Sequence, residues 1–193
     1  MNILLLGATG SIGDSVLSVI EENHSELNLF GITFHKNINK SQEIIKDFKP
    51  QFAYVEDRST FEDQKDTSDI TFLNGDSSLK ELIEHDDVDV IISAISGFAG
   101  LKATYLAAST GKKILLANKE SIVAGGDLIT ARAKKFNSKI IPIDSEHNAI
   151  FQCLSGERSP DDVQKITITA SGGPFIGKKI SDLKDVTKDD ALN

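Results

Sequence analysis

Short, wholly apolar runs alternate with longer stretches of helical period along most of the chain. Residues 3–6, Ile-Leu-Leu-Leu, end at Gly7 and read as a strand covered on both faces, as in a parallel sheet. Residues 12–22 follow, with Ile12, Val16, Val19 and Ile20 at helical spacing. The alternation continues with strands over 27–34, 52–55, 88–92, 113–117 and 140–143, and helices over 41–48, 77–84, 97–108 and 126–136. Pro50 stops the second helix. Ser77 or Ser78, with Glu81 nearby, is a candidate cap for the segment 77–84. Lys134 and Lys135 place positive charge at the end of 126–136, where the helix dipole favours it. Pro142 puts the strand 140–143 at a strand end or a sheet edge. Residues 58–67 are highly charged and form either a short surface helix or a loop. The repeated strand–helix order up to residue 145 predicts an α/β fold, an open, doubly wound, mostly parallel sheet with helices on both faces.

The pattern changes after that. Residues 155–162 are rich in Ser, Gly, Glu, Arg, Pro and Asp and read as a linker or turn. Residues 163–169 predict a strand with a different neighbour, and 172–174 a tight loop. Residues 182–193 carry too little apolar surface to be a domain, and the chain is expected to stop in mid-element there.

Composition narrows the function classes. With 39% hydrophobic and 26% charged residues over 193 positions, the chain reads as globular rather than disordered. Its net charge of −8 argues against a general nucleic-acid backbone binder, while leaving room for a local basic patch that holds an anion. The single cysteine, Cys153, excludes an intrachain disulfide. With Ile150 and Leu154 it is expected on an apolar helical face, as a buried small hydrophobe rather than a nucleophile. No basic stretch precedes a long apolar one at the N-terminus, and no run reaches the roughly 18 apolar residues that would span a bilayer. A cytoplasmic protein without membrane partners is expected.

Gly7-Ala8-Thr9-Gly10-Ser11-Ile12-Gly13 lies directly between the first strand and the first helix. Glycines there let the chain turn tightly and expose backbone N–H groups at a helix N-terminus, where a pyrophosphate can rest. Thr9 and Ser11 add hydroxyl donors, and Gly13 lets the helix approach the sheet. The alternative is a turn used only for packing. The second strand ends in Phe34-His35-Lys36-Asn37. Sites for NAD place an acid at this point to hold the ribose 2′-hydroxyl; here there is none, and Lys36, aided by His35, would attract a 2′-phosphate. NADP is therefore favoured over NAD, unless Lys36 is an ordinary loop lysine.

Other strand ends carry further polar groups. Gly97 and Gly100, after the strand 88–92, fit either close approach of a cofactor or a helix start. Asn118-Lys119-Glu120 follows the strand 113–117; Asn118 reads as an amide or ribose contact or as a helix cap, and Lys119 and Glu120 as orienting groups or a surface pair. Asp144-Ser145-Glu146-His147 is the densest polar cluster. In extended backbone Asp144 and Glu146 point to the same side, and two hard oxygen ligands suit Mg²⁺ or Mn²⁺. His147 reads as a cap or an orienting group rather than a ligand, and Ser145 as a substrate contact. Ser171, with the N–H groups after it, forms either an anion nest or a turn.

Taken in order, Gly7-Ala8-Thr9-Gly10-Ser11-Ile12-Gly13, Leu116-Ala117-Asn118-Lys119-Glu120-Ser121, Asp144-Ser145-Glu146-His147-Asn148-Ala149-Ile150-Phe151-Gln152 and Ser171-Gly172-Gly173-Pro174-Phe175 resemble the 1-deoxy-D-xylulose 5-phosphate reductoisomerase family. The resemblance covers essentially the whole chain. It implies a Rossmann-like NADPH-binding domain over residues 1–145 and the start of an α+β catalytic domain over 146–193. It implies an NADPH- and divalent-metal-dependent enzyme of the methylerythritol phosphate route to isoprenoids, one that rearranges and reduces a small sugar phosphate. Gly7, Thr9, Gly10, Ser11, Ile12, Gly13, His35, Lys36, Asn37, Asn118 and Glu120 match cofactor-binding positions. Lys119, Asp144 and Glu146 match catalytic ones, Asp144 and Glu146 as metal ligands; Lys119, Ser145, Glu146 and Ser171 match substrate positions. Family members continue past residue 193 with a third acidic ligand, a lid and a helical domain, and form homodimers. The 193-residue chain is accordingly expected to bind NADPH with little or no turnover alone. Another NADP-dependent reductase, or a non-catalytic nucleotide-binding module, are the competing readings.

Overall fold

A computed structural model describes residues 1–62, 69–154, 160–167 and 173–192. The chain divides into two compact units, Met1–Asn148 and Ala149–Asn193.

The first unit is a parallel sheet with helices on both faces. Its strands are β1 (Asn2–Leu6), β2 (Asn28–Phe34), β3 (Phe52–Val55), β4 (Thr71–Leu73), β5 (Val90–Ser93), β6 (Lys113–Leu116) and β7 (Lys139–Pro142). They lie in the order β4-β3-β2-β1-β5-β6-β7, every pairing parallel. The helices are α1 (Ser11–Glu22), α2 (Ile38–Phe48), α3 (Arg58–Glu62), α4 (Asp76–Glu84), α5 (Leu101–Ala107), α6 (Lys119–Phe136) and α7 (Ser145–Leu154), the last running on into the second unit.

Alternation along the strands builds two cores. Ile3 and Leu5 of β1 face α1 and α2, where they join Leu17, Ile20, Ile32 and Ile44. Leu4 and Leu6 point the other way and meet Leu82, Ile83, Ile91, Ile114 and Ile129 on the side of α4, α5 and α6. A strand covered on both faces has no polar side, which is why residues 3–6 form an unbroken apolar run.

The strand order reverses between β1 and β5. In an open parallel sheet, ligands bind in the crevice outside the carboxyl ends of the strands at such a reversal. Gly7 sits there at φ +87°, and a Cβ on it would come within 2.8 Å of the Ala94–Ile95 backbone. At Gly13 a Cβ would run into the Ala8 carbonyl, so only glycine lets α1 close on the turn.

Several sequence expectations need correction. The short edge strand β4 has no counterpart in the predicted pattern: three residues show too little periodicity to read. Helix α4 begins at Asp76 with Gly75 at its cap position, so Ser77 and Ser78 lie inside the helix rather than capping it. The segment 97–108 is not one helix; Phe98–Gly100 forms a 3-10 turn that leads into α5. Helix α6 starts at Lys119, ahead of the predicted 126, and runs through a non-helical Gly125 (φ −145°, ψ 27°). The predicted start at 126 falls just after this kink. Pro142 ends β7, which is an edge strand, so both readings of that proline hold.

Within the second unit, Pro160–Asp162, Gly173–Phe175 and Ile180–Leu183 are 3-10 turns and α8 (Lys188–Leu192) a short helix. The Asp190 carboxylate accepts from the Thr187 N–H and hydroxyl at 2.8 and 2.7 Å, which starts α8. Residues 163–167 of the predicted strand are not in a sheet, and 168–169 lie outside the described residues. Cys153 is exposed, not buried: no residue of α7 is buried.

Gly13→Ala is expected to destabilise the protein by about 1–3 kcal/mol, since backbone rather than a side chain must yield. Gly10 has an extended backbone and a Cβ there would lie 3.5 Å from the Gly7 carbonyl oxygen, so Gly10→Ala should leave the melting temperature nearly unchanged. Thermal unfolding of the two variants by circular dichroism checks the contrast.

Candidate active site

A cavity of about 510 Å³ opens at the carboxyl ends of β1, β2, β3 and β5. Gly7, Thr9 and Gly10 of the glycine turn line one side, with Thr33, Phe34 and His35 from the end of β2 beside them. Ala94, Ile95 and Ser96 follow β5, and Ala99, Lys102 and Ala103 come from the 3-10 turn and α5. The turn is fixed to its neighbour strand: the Gly7 and Ala8 N–H groups donate to the Thr33 carbonyl at 3.2 and 2.9 Å, and Gly7 also to the Thr33 hydroxyl at 2.9 Å.

Gly10 occupies the N-cap of α1 and has no side chain to cap it. The first turn of α1, with Ser11, Ile12 and Gly13, therefore presents its N–H groups and the positive end of its dipole without a side-chain acceptor. That is an anion seat, and it adjoins the cavity through Thr9 and Gly10.

Beyond His35, the Lys36 side chain is 65% exposed and its ammonium lies 3.5 Å from the Asp57 carboxylate at the end of β3. Asp57 is itself held by the Ser59 hydroxyl at 2.5 Å and the Thr60 N–H at 2.9 Å. Those two hydrogen bonds, with a smaller contribution from Lys36, hold its carboxyl well below the usual carboxylate range. Asn37 caps α2, its carbonyl oxygen accepting from the Lys40 N–H at 3.3 Å. Lys40 pairs with Asp14 of α1 at 2.6 Å, so α1 and α2 are tied next to the turn.

Three cavity residues carry no signal in a one-dimensional reading: Tyr54 and Glu56, whose hydroxyl and carboxylate are 3.0 Å apart, and Lys102, which pairs with Asp76. Burial first, then the Glu56 charge, push the Tyr54 hydroxyl pKa up. Their common feature is position at a strand end or on the helix beside it, which is visible only when the strand order is known.

A second group gathers where β6 and β7 give way to α6 and α7. Asn118 caps α6, and the exposed Lys119 and Glu120 occupy its first turn. The Lys119 ammonium lies 3.4 Å from the Glu146 carboxylate, and the Ser145 hydroxyl donates to the same carboxylate at 3.1 Å. Asp144 accepts from the His147 N–H at 3.1 Å and lies 2.7 Å from His147 Nδ1. Asp144 is thus the cap of α7 and Glu146 lies in its first turn. Both lie at a helix N-terminus rather than along an extended strand, because β7 already ends at Pro142. Burial pushes the Asp144 carboxyl up, but the His147 hydrogen bonds outweigh it and the net shift is downward. Glu146 is also shifted down, by its own N–H, Ser145 and Lys119. Both acids are therefore anionic hard-oxygen donors. Among the described residues no group of three or more His, Cys, Asp or Glu is placed to hold a metal. Ser171 lies outside the described residues. Among the described residues no helix is long and apolar enough to cross a membrane.

A doubly wound sheet with a glycine turn at its strand-order reversal defines a protein of the Rossmann-like, dinucleotide-binding class. Residues 3–126 match the family described as 1-deoxy-D-xylulose 5-phosphate reductoisomerase, and residues 140–193 match the 1-deoxy-D-xylulose 5-phosphate reductoisomerase C-terminal domain. The chain belongs to the 1-deoxy-D-xylulose 5-phosphate reductoisomerase family. It is 47% identical to the enzyme of that name from Francisella tularensis subsp. novicida, over 99% of this chain and 50% of the relative. It is 41% identical to that of Vesicomyosocius okutanii, over 98% and 50%. A crystal structure of DOX-P reductoisomerase in complex with NADPH, fosmidomycin and magnesium superposes with a TM-score of 0.84 at 38% identity, covering all of this chain and 50% of that one. The Zymomonas mobilis enzyme in complex with NADPH gives 0.84 at 37%, covering 100% and 51%. The chain spans about half the length of the curated relatives it matches.

The Asp57 environment yields a pH prediction. A carboxyl whose folded pKa is depressed stabilises the fold fully above its unfolded value, about 3.9, and loses that contribution as pH falls through the folded value. Carboxyl-carbon NMR should find Asp57 still ionised at about pH 3. Ser59→Ala should move its midpoint upward, toward the ordinary value.

Proposed function

We propose that this chain forms the NADPH-binding part, and contributes metal and substrate groups, of an enzyme that converts 1-deoxy-D-xylulose 5-phosphate to 2-C-methyl-D-erythritol 4-phosphate. The observation that carries the reading is the uncapped first turn of α1 at the strand-order reversal, opening on a cavity lined by His35, with Lys36 next in sequence and no acid at the end of β2. Family membership supports the choice of reaction.

In this reading, the N–H groups of Ser11, Ile12 and Gly13, with the Thr9 and Ser11 hydroxyls, hold the cofactor pyrophosphate against the positive end of α1. Gly7 and Gly10 keep Cβ atoms out of its path. Lys36 and His35 attract the 2′-phosphate, and Asn37 starts α2 beside it. The Asp57 carboxylate is the resting partner of Lys36, and an arriving phosphate competes for the same ammonium. Asn118 and Glu120 belong to the far end of the cofactor site.

Asp144 and Glu146 would hold the divalent cation, Mg²⁺ or Mn²⁺, both of which take hard oxygen ligands; further ligands must come from substrate, water or other side chains. When bound, NADPH supplies hydride and the cation polarises the carbonyl and hydroxyl oxygens of the substrate. The chain's own groups orient these parts. His147 keeps Asp144 anionic and fixed in direction. Lys119 neutralises Glu146 in the free protein; a cation competing for that carboxylate leaves the ammonium available to the substrate. Ser145 and Ser171 are assigned to the sugar phosphate. The same reading has the whole protein cytoplasmic and homodimeric, with neither nucleic acid nor membrane as a partner. Turnover is assigned to that whole protein rather than to the 193-residue chain alone.

The cofactor half of the reading is tested by titrating the chain with NADPH and NADH and following binding by calorimetry. NADPH should bind at least about tenfold more tightly, a difference of about 1.4 kcal/mol. Lys36→Ala should abolish most of that preference while leaving NADH affinity unchanged. Equal affinities in the unmodified protein would defeat the reading.

A further inference from the structure

Asn118 is 2% exposed, and both of its amide hydrogens are engaged by the protein. Its carbonyl oxygen accepts the Ser121 N–H at 2.7 Å, which caps α6. Its two amide hydrogens go to the carbonyls of Ile95 and Gly97, the latter at 2.8 Å. An amide NH₂ has two donors, so none remains for a bound ligand.

Thr104 of α5 is fully buried beside it. Its hydroxyl donates to the Gly100 carbonyl at 2.8 Å and lies 2.8 Å from the Ser93 hydroxyl and 3.5 Å from that of Ser121. A hydroxyl has one hydrogen, so with Gly100 taking it, Ser93 is the donor in the second bond. The Ser93 carbonyl in turn accepts from the N–H groups of Ala117 and Asn118 at 2.9 and 3.2 Å. The end of β5, the 3-10 turn, α5 and the start of α6 are thus joined by one buried polar network, and no buried side-chain nitrogen or oxygen among the described residues lacks a partner.

We propose that Asn118 and Thr104 form a positioning clamp that holds the Ile95–Gly97 loop, one wall of the nucleotide cavity, in register with the first turn of α6, which carries Lys119 and Glu120. Asn118 then acts on the cofactor through the loop and not by donating a side-chain hydrogen bond to it. The inference rests on the reading of the cavity as the nucleotide site, but its mechanical half does not need a nucleotide. Because the loop and Lys119 share one clamp, a ligand that fixes the loop also fixes the lysine that faces Glu146.

The test uses the 193-residue chain with three substitutions. Asn118→Ser keeps a good capping oxygen for Ser121 but removes both donors to the loop. Thr104→Val removes the hydroxyl at constant shape, and Thr104→Ser restores it. Without ligand, amide exchange over residues 95–100 should accelerate at least tenfold in Asn118→Ser and Thr104→Val, stay within twofold of the unmodified protein in Thr104→Ser, and remain unchanged over the middle of α6. NADPH affinity should fall at least tenfold in the first two variants and recover in the third. Unchanged loop exchange overturns the clamp, even if Asn118→Ser loses NADPH, since that pattern means direct contact. Faster exchange with NADPH affinity intact overturns the link to the cofactor. If Asn118→Ser loses protection globally, the Thr104→Val and Thr104→Ser pair decides by the same criteria. Failure of the unmodified protein to bind NADPH would strike the nucleotide reading, and loop exchange would still decide the clamp.

Discussion

The contact of Gly7 with the Ala94–Ile95 backbone is the constraint on which the rest of the molecule depends. The strand order reverses between β1 and β5, so the chain leaving β1 must turn directly over the end of β5. A Cβ at Gly7 would be 2.8 Å from that backbone and would force the two strand ends apart. With glycine there, the turn drops into the reversal, its N–H groups reach Thr33 of β2, and α1 starts with its positive end at the mouth of the cavity. The crevice, the anion seat and the position of the β2 end all follow from this one approach.

The helices at that edge differ in how their N-termini are satisfied. Asn118 and Asp144 cap α6 and α7 with side chains, and both caps are locked further, Asn118 by the loop carbonyls and Asp144 by His147. Gly10 supplies no cap to α1. A capped helix start is a rigid platform for the charged residues of its first turn, Lys119 and Glu120 in one case and Glu146 in the other. An uncapped one leaves its donors for a ligand. One sheet edge thereby carries an uncapped helix start at α1 and, at α6 and α7, capped ones that bear charged residues.

How much of this could be read in the sequence depended on whether a feature was local. Ile3 to Leu6 and the glycines after it are local, so the first strand, turn and helix were legible together, as was the family resemblance. Lys36 was legible as a charge just after β2, whereas its pairing with Asp57, beyond the next strand, was not. The roles of Asn118 and Asp144 were only half legible. A cap was one reading of Asn118, but its bonds to Ile95 and Gly97 join segments over twenty residues apart. Asp144 and Glu146 were read in extended backbone although Pro142 already signalled a strand end; what the sequence did not show was the helix that starts at Ser145. Tyr54, Glu56 and Lys102 enter the cavity through strand order alone, which a pattern of periods does not encode. The first turns of α6, Lys119 to Ala124, were not legible as helix, and the predicted start at 126 falls just after the kink at Gly125.

The central claim is that the uncapped start of α1 and the β5 loop hold a dinucleotide between them. Two-dimensional amide NMR of the labelled chain during NADPH titration addresses it most directly. The largest shifts should fall on Ser11, Ile12 and Gly13 and on Ile95 to Gly97, with saturation at one equivalent. Shifts confined to other surfaces, or no saturable change in α1, would contradict it.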